Sequence, residues 1–98
     1  MDDSVRPIDI MDAYWRIATE QKYSRIVSFI DLYVDLLKEN NQISVQKFKE
    51  SLTFLYDQEV IDLIPIPSDR EFGSAMEKEL SIPTKYNEHL SYVLSRED

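Results

Sequence analysis

The stretch Tyr23-Ser-Arg-Ile-Val-Ser-Phe-Ile-Asp-Leu-Tyr-Val-Asp-Leu-Leu37, followed by Lys38, decides how the chain is read. Ser24, Ser28, Asp31, Asp35 and Lys38 recur at steps of four, three, four and three, and nearly everything between them is aliphatic or aromatic. Residues three and four apart lie on one face of a helix, so the spacing predicts a helix from about Ser24 to Asn40-Asn41 that shows water one thin stripe. A helix greasy on two flanks belongs at the centre of a fold. Phe29, Leu32 and Leu36 form one flank, and Ile26, Ile30, Tyr33 and Leu37 form the other.

Working toward the amino terminus, Asp9 is placed to cap a first helix, and Asp12 adds negative charge near the positive end of its dipole. Ile10, Met11, Tyr14, Trp15, Ile17 and Ala18 supply the helical period, which should stop near residues 20–22. Toward the carboxyl terminus, Ser44 is the next N-cap, and Val45, Phe48, Leu52, Leu55 and Tyr56 define a third helix of about fourteen residues. Val60 to Ile66 is rich in β-branched residues, but Pro65 cannot donate to a ladder, so a strand there must be short and at an edge. Ser68-Asp69 and the spacing of Phe72, Ala75, Met76 and Leu80 predict a fourth helix. Pro83 as a first helical residue, with Tyr86, Leu90, Val93 and Leu94 along one side, predicts a fifth.

The expected architecture is mainly α: a single-domain bundle of about five helices over residues 1–98, with at most a short edge strand or hairpin near 60–67. Residues 1–7 and 95–98 are expected to be flexible. Length supports one domain with a thin core, since a chain of 98 residues buries only somewhat over ~60% of its unfolded surface.

Composition narrows function mainly by exclusion. Nineteen acidic side chains against eleven basic ones give a formal net charge of −8, a field that repels phosphates and anionic membranes. Arg and Lys are scattered. The lack of cysteine removes disulfides and thiolate chemistry and suits a reducing compartment, no segment approaches a membrane span, and the acidic opening Met1-Asp2-Asp3-Ser4 is unlike a secretory leader. A cytoplasmic protein is expected. His89 is the one histidine, which spells neither a paired metal site nor a triad, and it reads as a partly exposed structural residue. Asp31 and Asp35 share a face at i, i+4 and read as the solvated edge of the central helix. Asp57, Glu59 and Asp62 lack the ligand spacing of a calcium loop, and one glycine could hardly supply a phosphate cradle. No catalytic residue, metal or cofactor is expected, and the chain is read as a non-enzyme.

Residues Ile43 to Ile66 resemble the second half of a winged-helix domain, with a short polar entry, an amphipathic helix and a strand-forming exit. The resemblance implies that Phe48, Leu52 and Leu55 face the core, that Val60 and Ile61 turn the chain, and that Leu63 to Ile66 begin the wing. The face such a domain would turn to DNA carries Gln46, Lys47, Lys49, Glu50 and Thr53, which is mixed in charge where several phosphate contacts are needed.

Surface recognition remains. Eleven aromatic side chains are more than a thin core readily hides, and Phe54, away from the core stripe of its helix, is expected as an exposed anchor. The primary expectation is a small acidic interaction module or regulatory subunit that binds another protein or a second copy of itself through Phe29, Leu32, Leu36 and Phe54. A winged-helix-like DNA-binding regulator using Lys47, Lys49 and Arg70 is the alternative, and an acidic nucleic-acid mimic that blocks a DNA-binding enzyme is the second.

Overall fold

A computed structural model describes residues 5–96, in which the chain runs through Pro7–Glu20 (α1), Val27–Ser28 (β1), Phe29–Glu39 (α2), Val45–Asp57 (α3), Ile61–Pro65 (β2), Ala75–Leu80 (α4), Ile82–Pro83 (β3) and His89–Ser95 (β4). The fold is α+β, with four helices and a four-stranded antiparallel sheet among the described residues. This corrects the mainly-α five-helix bundle expected from the spacing.

The largest correction is β4, where a fifth helix was expected. Its buried residues, Ser91, Val93 and Ser95, alternate along the strand, but two of the three are serines, so the period of two is invisible to hydrophobic patterning. Leu90, Val93 and Leu94 mimic a helix by accident of spacing. The strand is held from both sides: Leu63 and Val27 both pair with Val93, while Ile82 pairs with Leu90. β2 runs along one side of β4, and β1 and β3 share the other. Pro65 ends the edge strand β2, where a missing amide costs least.

The central helix begins later than its polar stripe suggests. The carbonyls of Ser24 and Ile26 accept from Gln21 Nε2, each at 2.9 Å, and that of Arg25 accepts from the Tyr14 hydroxyl at 2.6 Å. Those oxygens would have to serve helical amides four residues on. Ser28 instead caps α2 by accepting from the Asp31 amide at 3.1 Å. α2 then packs against α1, α4 and β4, and Phe48 of α3 meets Phe29 edge-on at 6.2 Å and Tyr33 at 5.1 Å between ring centroids. Asp31, Val34 and Lys38 form its wet face. Asp35 is taken by Arg16 of α1 at 2.6 Å.

α1 starts at Pro7 and not after Asp9. Asp9 lies at the third helical position and reaches back to the Arg6 amide at 3.2 Å and guanidinium at 2.9 Å, which is the return arm of a capping box. Hydrogen bonding from Arg6 holds the Asp9 carboxyl below its ordinary range.

α3 matches the reading in its span and cap, but Tyr56, expected on its apolar face, is 48% exposed. Ser44 caps it by accepting from the Lys47 amide, and Phe48, Leu52 and Leu55 are buried. Glu59 closes it in the left-handed region at φ 62°. The Val60 amide reaches the Leu55 carbonyl and the Glu59 amide the Tyr56 carbonyl, each at 3.0 Å, the paired closure of a Schellman motif. α4 is shorter than expected and is capped by Ser74, not by Ser68 or Asp69.

Residues 1–4 and 97–98, including the acidic opening, lie outside the described residues. Among the described residues next to them, Val5 is buried with its carbonyl accepting from Ser51 Oγ at 2.8 Å, and Ser95 belongs to β4. No helix among the described residues is long and apolar enough to cross a membrane.

Candidate functional site

Three of the four residues expected to meet a partner are consumed inside the chain. Phe29, Leu32 and Leu36 are 1%, 0% and 2% exposed, because α1, β4, α4 and the Phe48 ring close over both flanks of α2. They form core, and the expectation that they dock a partner is corrected. Phe54 differs. It is 50% exposed and lines a groove of about 800 Å³ between α3 and the α4–β3 segment.

The groove is assembled from two distant parts of the sequence. α3 contributes Val45, Gln46, Lys49, Glu50, Thr53, Phe54 and Asp57, and the other wall is Glu79 with Ile82 and Pro83. The helix positions its side chains by period, since residues 46, 50, 53 and 57 rise along one face beside 45, 49 and 54. The opposite wall exists because Ile82 and Pro83 pair with Leu90 and His89 of β4. The Tyr33 hydroxyl donates to the Ile43 carbonyl at 2.7 Å, and burial, with Glu79 adding its charge, pushes that phenol up from its ordinary value.

Apolar and charged groups divide the surface. Val45, Phe54, Ile82 and Pro83 are apolar. Glu50, Asp57 and Glu79 share the lining with them and with one ammonium, Lys49. Glu50 also meets Lys47 Nζ at 3.5 Å and Gln46 Nε2 at 3.3 Å.

The structure does not collect the three basic residues of the DNA reading into a free cationic surface. Lys47 is paired with Glu50, Lys49 sits among carboxylates, and Arg70 is committed elsewhere. Arg70 meets Glu77 at 3.2 Å and donates to the Tyr92 hydroxyl at 2.7 Å. Its hydrogen bond to Glu77 holds the guanidinium proton more tightly than usual.

Arg70 borders a second cleft, of about 760 Å³, lined by Pro65 to Ser68, Glu71, Phe72 and Asn87 to His89. Phe72 meets the His89 ring edge-on at 5.1 Å. His89 Nδ1 is buried with no hydrogen-bond partner within the described protein. His89 therefore lies on a strand at a cleft and not on a last helix.

Sequence reasoning missed Ile82, Pro83 and Glu79 as groove residues. The only signal was the run Leu80-Ser-Ile-Pro83, which reads as a helix end. No protein family, curated protein or solved structure matches this chain.

Proposed function

We propose that this chain is a small acidic protein-interaction module or regulatory subunit, working in the cytoplasm by binding and not by catalysis, with the α3 groove as its contact surface. Phe54 carries the proposal. The helix that inserts Phe48 fully into the core holds a second phenylalanine half in water, in the lining of one open groove with Ile82 and Pro83. Scattered apolar side chains on a surface are ordinary, but an exposed aromatic ring in the lining of an open groove, with apolar and charged side chains together, is a form in which partner sites occur. Docking would recover roughly 25 cal/mol for each Å² of apolar area removed from water.

A winged-helix-like scaffold is a second reading. What favours it is α3 with Phe48, Leu52 and Leu55 inward, leading across Val60 into the strand Ile61–Pro65. DNA binding on that scaffold is the weaker use, because Lys47 and Arg70 are neutralised by Glu50 and Glu77 while affinity for DNA rests on free phosphate contacts. The nucleic-acid mimic is weaker still, since Arg16 and Arg96 interrupt the acidic surface by pairing with Asp35 and Asp62.

The test uses a photo-crosslinking side chain installed at Phe54 and, separately, at Tyr23, which is exposed in the α1–β1 loop. Irradiation in extract of the native cell should give one discrete adduct from position 54 and none from position 23. Equal labelling from both positions, or from neither, would overturn the groove as the contact surface.

A further inference from the structure

Resting on that reading of the groove, we propose that its occupant is a protein segment presenting an aromatic or large aliphatic side chain flanked by Lys or Arg. Phe54 with Ile82 and Pro83 supplies the apolar seat. Three carboxylates, Glu50, Asp57 and Glu79, share the lining with one ammonium, Lys49, and Glu50 is already paired with Lys47, which leaves Asp57 and Glu79 as the carboxylates open to a cation. Asp57 and Glu79 take part in none of the ion pairs found among the described residues, so their charge is available to a ligand. The net charge of −8 acts in the same sense, drawing a cationic segment toward the surface and speeding its encounter.

The same charges select against the other occupants. An acidic segment or a nucleic acid would bring anions against Asp57 and Glu79. A second copy would bring another −8. Like-charge juxtaposition penalises wrong partners more strongly than a correct pair adds affinity. The apolar seat sets whether a segment binds, and the rim sets which one.

Two fluorescent peptides of equal length test this, sharing the same Leu and Phe positions in an amphipathic repeat, one with Lys and the other with Glu at the polar positions. Anisotropy titration of the full chain should show the Lys peptide binding at least roughly tenfold more tightly at low salt, with the preference shrinking as salt screens the rim. Phe54→Ala should weaken the Lys peptide by about tenfold or more, as loss of an interface anchor does. Asp57→Lys with Glu79→Lys should reverse the preference, and the milder pair Asp57→Asn with Glu79→Gln should abolish it if the reversal disturbs folding. Equal affinity for both peptides, with both lost in Phe54→Ala, would overturn the basic-partner assignment and leave the groove standing. Lys-peptide binding that is indifferent to Phe54, or no binding of either peptide, would overturn both.

Discussion

The two faces of α3 carry two phenylalanines six residues apart with opposite fates. Phe48 is 0% exposed, wedged between Phe29 and Tyr33, while Phe54 is 50% exposed at the lip of a groove. Residue type is identical, so helical phase alone assigns one ring to stability and the other to recognition. The lesson is that an aromatic off the core stripe is informative when a second element builds a wall opposite it.

Mutations that separate the two faces have effects of very different size. Phe48→Ala should cost about 3–5 kcal/mol, a large part of the stability of a small domain, read as a collapse of the cooperative urea transition. Tyr14→Phe extends the comparison to the other side of the core. Its hydroxyl donates to the Arg25 carbonyl and accepts from the Ser95 amide at 3.0 Å, tying α1 to the α1–β1 loop and the end of β4. Its removal should cost about 1–2 kcal/mol in the same experiment. Glu59→Gly runs the other way. Relief of the left-handed backbone at φ 62° should stabilise the protein by about 1 kcal/mol. Unchanged stability would show that the turn following α3 is not strained.

The smallest effect comes from the pair that closes the start of α1. Arg6 holds the folded-state pKa of Asp9 below its ordinary 3.8. A depressed carboxyl contributes stability that is fully present above the unfolded value and lost as pH falls through the folded one. Asp9→Asn should therefore lower stability slightly at neutral pH and leave the difference from the parent vanishing in strong acid. A difference that persists below the carboxylate range would mean that Asp9 acts by packing and not by charge.

How much of this was legible in the sequence follows the same division. α3 could be read almost to its ends, because a serine cap, a clean apolar stripe and an off-stripe phenylalanine agree with one another. α2 was read as starting too early, since Ser24 and Ser28 continue its polar period although the first serves a turn and the second a cap. β4 was unreadable by patterning with Ser91 and Ser95 on its buried side. The groove was half legible. Phe54 declared itself, but its facing wall at Ile82 and Pro83 depends on pairing with β4, a long-range contact that no local spacing announces.

The most direct test of the two-faced helix is an amide chemical-shift map of the uniformly labelled protein on addition of the Lys-bearing amphipathic peptide. The shifts should cluster on the exposed face of α3 from Val45 to Asp57 and on Glu79 to Ile82, with Phe29, Leu32 and Leu36 unmoved. Shifts spread through α2 and the core, or centred on the Phe72–His89 cleft, would contradict the account.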